Sequence, residues 1–181
     1  MNTVQFYHEE KNFCLLGIDR EDFISRMMEW SNDDQATHYM VTGLYPGNRE
    51  QIGKTYDDLI KGDNVVFSII SKQSGKTIGF AGLYDIRWQP RFAEFRIIIG
   101  DRKFHGKGIG TRAAQFIVSY AFRSLNLNKV WLGVNAENKS AVKSYQKAGF
   151  KQEGVLRQEV WRNNRYYDAI RMSVLSKDHG S

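Results

Sequence analysis

The stretch FHGKGIGTRAAQ, residues 104–115, concentrates Gly106, Gly108 and Gly110 around Lys107 at the entry to an amphipathic run. Glycine takes φ > 0 without steric penalty and lets a backbone approach a ligand. A helix start offers unpaired N–H groups and the positive end of the helix dipole. An anion, phosphate by default, is the guest such a loop is built for. The backbone amides from Gly106 to Thr111 can do this whatever side chains they carry. Cations stand close by at Arg102, Lys103, Lys107 and Arg112, and Lys139, Lys143 and Lys147 follow at i, i+4, i+8 on a later helix. That stripe reads either as further phosphate contacts or as a solvated helix face.

A phosphate loop alone names no reaction. The nucleoside triphosphate pattern G-x-x-x-x-G-K-[ST] fails, because no glycine stands five places before a Gly-Lys-Ser/Thr. Gly108-Ile109-Gly110-Thr111-Arg112-Ala113 does satisfy G-x-G-x-x-G/A. The segment between Gly100 and the loop is too long for the tight turn of a dinucleotide site, however, and too little chain follows for a doubly wound sheet. The histidines at 8, 38, 105 and 179 show no ligand spacing, so no metal site is expected.

The elements that must hold the loop can be read from periodicity. FCLLGI (13–18) reads as a short buried strand. DREDFISRMMEW (19–30) reads as a helix capped by Asp19, with Phe23, Met27 and Trp30 on one face. A second helix is expected from about Asn48 to Lys61, then a hairpin over 64–86 around KQSGK and a third strand over 92–100. Ile109, Ala113, Phe116, Ile117, Tyr120 and Ala121 give the opening loop's helix one buried face, and KVWLGVN (129–135) follows as a strand. Strand, helix and strand make one βαβ crossover, which requires a parallel pairing. A short helix over 138–150, capped by Asn138 and ended by Gly149, leads to a hairpin over 154–175 around Asn163-Asn164. Tyr166, Ile170, Met172 and Val174 share one face of its second strand. The expected class is α+β, a mixed and mostly antiparallel sheet with one crossover and a C-terminal hairpin.

At 181 residues, with 41% hydrophobic and 13% aromatic composition, the chain fits a single globular domain over 1–175 with a polar tail over 176–181. Cys14 lies in an apolar run without a partner, so it reads as a buried hydrophobe and a reducing compartment is expected. The N-terminal stretch has no basic start followed by an apolar core, and no window is long and apolar enough for a membrane span. A cytoplasmic location is expected. The net charge of +6 is unevenly placed: residues 1–60 hold 11 Asp/Glu against 5 Lys/Arg, and residues 61–181 hold 9 against 21. One half favours cations and the other anions. No zinc-ligand set, basic heptad helix or RNP-type aromatic motif points to nucleic acid.

FHGKGIGTRAA, the preceding AEFRIII and the following NAENKSAVKSYQKAGF together resemble the GNAT N-acetyltransferases, over roughly residues 13–175. Within that family the chain is similar to the bacterial spermidine N-acetyltransferases, with the ribosomal-protein alanine N-acetyltransferases as wider kin. The resemblance implies the GNAT acyl-CoA N-acyltransferase fold and a loop that cradles the pyrophosphate of acetyl-CoA, with His105 where the family carries Gln or Arg. Cofactor contacts are then expected at Ile98, Ile99, Gly100, His105, Gly106, Lys107, Gly108, Ile109, Gly110, Thr111, Asn138, Ser140 and Lys147. Tyr145 matches the family's general acid and Glu94 its base, drawing the amine's proton through water. For a tyrosine packed on the sheet, or a glutamate paired with Arg91 or Arg96, the same residues would be structural.

The reaction implied is direct transfer of acetyl to a primary amine, since nothing marks Cys14 as a nucleophile. The acidic first 60 residues, with Glu29, Asp33 and Asp34 near the end of the first helix, suit a cationic acceptor, polyamine-like, held by Glu29, Asp33, Tyr39 and Glu94. The paired glutamates of the spermidine enzymes are replaced by MVTGLYPGN, a loop expected to line the acceptor groove. A protein N-terminus, an amino sugar or a non-enzymatic acyl-CoA-binding module remain as alternatives. Self-association into a homo-oligomer is left open.

Overall fold

In the computed structural model, which describes residues 7–40 and 46–179, one mixed sheet forms the centre of the molecule. Its strands are β1 (His8–Glu9), β2 (Phe13–Gly17), β3 (Val65–Ser71), β4 (Thr77–Arg87), β5 (Phe92–Ile99), β6 (Lys129–Asn135), β7 (Lys151–Arg162) and β8 (Arg165–Leu175), in the order β1-β2-β3-β4-β5-β6-β8-β7. The helices are α1 (Arg20–Ser31), α2 (Arg49–Lys61), α3 (Ile109–Arg123) and α4 (Lys139–Lys147). The α+β class, the crossover and the C-terminal hairpin agree with expectation. β1 lacks a signal in the sequence, because two residues carry no period.

Every strand pairing is antiparallel except β5 with β6. That parallel ladder is short: Phe92, Ala93 and Glu94 stand opposite Lys129, Val130 and Trp131, and the strands then part. The remainder of β6 pairs only with β8, and the remainder of β5 only with β4. The sheet therefore opens between the C-terminal ends of its two parallel strands, which is where a crossover sheet can receive a ligand.

α3 closes one face of the sheet. Ile109, Ala113, Ala114, Ile117, Val118 and Ala121 are buried against Ala81, Leu83, Ala93, Phe95, Val130 and Leu132, while Phe116 and Tyr120 pack at the margin. Each fully buried Ile or Val contributes about 1.5–3 kcal/mol, so this face fixes the helix and hence the loop at its start. On the other face α1 and α2 cover Phe80 and Ile98 with Phe23, Ile24, Trp30 and Ile52. Asp19 and Asn138 cap their helices as expected, and Asn48 does the same for α2; each accepts from an amide in the first turn.

Tyr166 departs from expectation, standing 60% exposed at the hairpin tip against Trp161 while Met172 and Val174 are buried. β7 begins at Lys151, earlier than the hairpin read from sequence. The polar tail is docked as far as it is described. Ser176 N–H donates to the Asn128 carbonyl, Lys151 pairs with Asp178, and His179 packs edge-on to Phe122.

Candidate active site

The loop between β5 and α3 is shaped by its glycines. Gly106 and Gly108 have φ of 72° and 77°, a region that penalises any side chain, and the space where a Cβ would stand is open at both. Gly108 is the N-cap of α3 and supplies no side-chain acceptor. Among the described residues the amides of Gly106 to Thr111 find no protein acceptor, whereas the His105 amide just before them donates to the Arg102 carbonyl. Free amides, a helix dipole and an open approach are the donor set of a phosphate site.

The loop opens on a cleft of about 680 Å³. Ile97 and Ile99 at the end of β5 form its floor, α4 forms one wall through Ser140, Lys143, Ser144, Tyr145 and Lys147, and the turn after α1 forms the other through Gln35, Ala36, His38, Tyr39 and Met40. Thr111 Oγ1 and Ser144 Oγ lie 2.7 Å apart and join the first turn of α3 to α4. His105 Nε2 is 2.7 Å from the Ile99 carbonyl, so the ring fastens the loop to the end of the strand.

Tyr145 packs against Phe95 and Phe150, at centroid distances of 6.2 and 5.9 Å. Its hydroxyl makes no hydrogen bond among the described residues, although its ring lines the cleft. Burial pushes the phenol up to about 12, because the phenolate would lose its hydration. A phenol so placed stays protonated throughout the neutral range.

A family model, the acetyltransferase (GNAT) domain, matches residues 12–151. The chain belongs to the GNAT acetyltransferases. The acetyltransferase is 41% identical over 162 residues to the spermidine N(1)-acetyltransferase of Escherichia coli K12, covering 90% of this chain and 85% of the relative. An uncharacterised N-acetyltransferase of Bacillus licheniformis is 32% identical over 93% of this chain and 96% of its own. Among solved structures, the spermidine N-acetyltransferase of Vibrio cholerae in complex with CoA and spermine superposes with a TM-score of 0.84 at 29% identity, covering 95% of this chain and all of that one.

In this acetyltransferase the cleft gathers His105, Gly106, Gly108, Ile109, Gly110, Thr111, Asn138, Ser140, Lys147, Ile99, Tyr145 and Tyr39 from the residues expected at the site. It leaves out others, each for a visible reason. Ile98 points to the opposite face and packs under α1 and α2. Gly100 donates its amide to the Ile78 carbonyl at 3.0 Å, and an added Cβ would come within 1.8 Å of the Trp30 ring, so this glycine makes room for Trp30. Lys107 folds its ammonium over the Phe104 ring. Arg112 pairs with Glu10.

The acidic residues fare likewise. Glu29 pairs with Arg26 on its own helix, and Asp33 accepts from the amides of Gln35 and Ala36, shaping the turn rather than facing the cleft. Glu94 stands on the α1/α2 face of β5, 18% exposed, and binds Arg96 at 2.6 Å. Arg96 also reaches Asp85 and lies over the Tyr84 ring. The ion pair raised as the structural reading of Glu94 is thus the one observed, and the carboxylate does not border the cleft that holds Tyr145. The acceptor loop around Gly43 lies outside the described residues, although Pro46, Gly47 and Asn48 lie within them. Cys14 is buried in β2, and burial pushes its thiol up, away from the reactive thiolate.

Sequence reasoning missed the turn of residues 35–40 as a wall, apart from Tyr39 and Met40, and missed Ile97, Phe104 and Ser144. The turn carries no motif. Ile97 was within reach of period-2 counting from Phe95, which places it on the face of α3.

Proposed function

We propose that the chain transfers the acetyl group of acetyl-CoA directly to a primary amine, with a polyamine of the spermidine type as acceptor. One observation carries the chemistry: the free amides at the start of α3 and the unpartnered phenol of Tyr145 border a single cleft. The polyamine rests on the likeness to the spermidine enzymes.

The residues present fit the cofactor. Amides of Gly106–Thr111 would take the pyrophosphate, and Lys143 and Lys147 on α4 supply cations at the same cleft. The unpaired edge of β5 beyond Glu94 and the side chains of Ile97 and Ile99 suit an extended, amide-bearing, partly apolar arm. When bound, acetyl-CoA supplies the activated thioester. Tyr145 would face the departing sulfur with its O–H. A thiol has a pKa near 8.5 and this phenol one of about 12, so the phenol would serve first as a hydrogen-bond donor to the developing charge; a proton passed to sulfur would be replaced on the phenol oxygen by the one the acylated nitrogen loses, leaving a neutral thiol, a neutral amide and the phenol restored. Buried Cys14 takes no part, and a cytoplasmic setting suits its unpaired thiol.

A second reading has its own observation. Among the described residues no lining residue of the cleft is acidic, and Lys143 and Lys147 are basic. A polycation gains little there beyond Asp34, which stands exposed on the same turn as Tyr39. An acceptor with one amine and no further positive charge, such as an amino sugar or a peptide N-terminus, suits that wall better. A panel of polyamines, amino sugars, their nucleotide forms and short peptides, offered with acetyl-CoA while free thiol is followed, decides between them. Polyamines are expected to lead, preference for an amino sugar or peptide selects the second reading, and turnover of none leaves an acyl-CoA-binding module.

A further inference from the structure

Arg162 ends β7 at the tip of the C-terminal hairpin, yet its side chain is only 5% exposed. Its Nη2 donates to Thr37 Oγ1 at 3.1 Å and stands 3.6 Å from Asp34 Oδ1, a carboxylate that is itself 99% exposed. Its Nε is buried with no hydrogen-bond partner. A guanidinium taken out of water for one hydroxyl and one solvent-facing carboxylate is an expensive group in a place where an apolar side chain would fill the same volume. What it gains is direction, because the planar fork holds its partners at fixed angles.

The partner is well chosen for that task. Thr37 is fully buried, and its hydroxyl donates a hydrogen bond to the Asp33 carbonyl at 2.9 Å. The Thr37 amide donates to the same carbonyl at 3.1 Å, and the Met40 amide donates to the Thr37 carbonyl at 2.8 Å. The turn is thus bonded to itself around Thr37. Among the described residues, the side-chain hydrogen bonds and ion pairs that tie residues 33–40 to the rest of the chain run to Arg162 and to its neighbour Asn163, whose Nδ2 lies 3.4 Å from His38 Nδ1. The same turn is the wall of the cleft facing α4.

We propose that Arg162 is the positioning residue of the acceptor side: it clamps the turn of residues 33–40 to the hairpin tip and so fixes the wall against which the amine is held. This rests on the acetyl-transfer reading of the cleft. Arg162 touches neither substrate and acts through Thr37.

The test compares Arg162→Gln, Arg162→Lys and Thr37→Val with the unmodified chain, using acetyl-CoA and the amine that ranks first in the panel. Loss of a charge-assisted hydrogen bond predicts a rise of about tenfold in the amine KM for Arg162→Gln and Thr37→Val, no further rise in the double variant, and partial recovery with lysine. Acetyl-CoA affinity by calorimetry stays within about twofold, and kcat at saturating amine within about threefold. Hydrogen exchange of the 33–40 peptide quickens in both variants. An unchanged amine KM overturns the proposal, and so does a parallel loss of acetyl-CoA affinity, which marks a general structural role. If Arg162→Gln does not fold, Thr37→Val carries the same measurements. A wild-type chain that turns over no amine overturns the functional reading instead, and the exchange measurement alone then judges the clamp.

Discussion

The hydroxyls of Thr111 and Ser144 lie 2.7 Å apart, so the first turn of the phosphate helix is bonded to the residue preceding Tyr145. On the proposed reading of the cleft, cofactor binding at the loop and proton donation at the phenol share one hinge point. Replacing Thr111 by Val keeps the branched shape and removes the bond, at a cost of about 1 kcal/mol. The acetyl-CoA KM is expected to rise about three- to fivefold, with a smaller fall in kcat. Ser144→Ala should do the same, and the pair together no more than either alone; strictly additive losses would show that the two hydroxyls act separately.

Gly108 sets the entry of α3 at a φ of 77°, with open space where a Cβ would stand. Gly108→Ala meets no atom and suffers only the left-handed backbone, about 1–2 kcal/mol of stability. Gly108→Asp adds a negative charge beside the free amides. Calorimetry is expected to find acetyl-CoA binding at least tenfold weaker in the aspartate variant than in the alanine variant, with the difference shrinking in high salt as the charge is screened. Equal affinities would remove the loop from the phosphate site.

For Tyr145, substitution by Phe retains the ring packed on Phe95 and Phe150. We expect kcat to fall about 10²- to 10⁴-fold with acetyl-CoA affinity intact. Near-wild-type kcat, with chemistry shown to be rate-limiting, would pass the acid role to another group. The phenol is pushed up to about 12 from an ordinary value near 10, so its ionisation does not set a basic limb of the rate profile at lower pH. The same shift has a sign for stability: a group raised on folding contributes in full below about pH 10, and that contribution is lost as pH climbs toward 12. Urea midpoints at pH 9 and pH 11 should therefore differ less in Tyr145→Phe than in wild type.

Glu94 gives the opposite expectation. Its carboxylate is occupied by Arg96 at 2.6 Å and sits off the cleft. Glu94→Gln is expected to lower kcat less than about tenfold and to leave the acidic limb of the profile in place. A loss of 10²-fold or more, with that limb displaced, would restore Glu94 as the base.

What the sequence reveals depends on how far apart the cooperating residues stand. The loop, its helix and the Asn138 cap are legible because glycine spacing, apolar period and capping chemistry all act within a few residues. Charge alone suggests Glu29 and Asp33, and in the fold Arg26 and the turn's own amides are their partners. Trp30 against Gly100 and Arg162 against Thr37 have no sequence signal at all; the second pair is 125 residues apart, and only the folded sheet brings them together.

The parallel ladder of β5 and β6 holds only through the pairs Phe92–Lys129, Ala93–Val130 and Glu94–Trp131. Mechanically the sheet is two leaves, β1 to β5 and β6 to β8, stitched by that seam and spanned by α3. A rotation about the stitch would change the width of the cleft while leaving every antiparallel ladder whole. Ile97 and Ile99 lie in one leaf, whereas Arg162 lies at the hairpin tip of the other, bonded to Thr37 of the 33–40 turn. On the role proposed for Arg162, the width of the site is set by the stitch and its opposing clamp together.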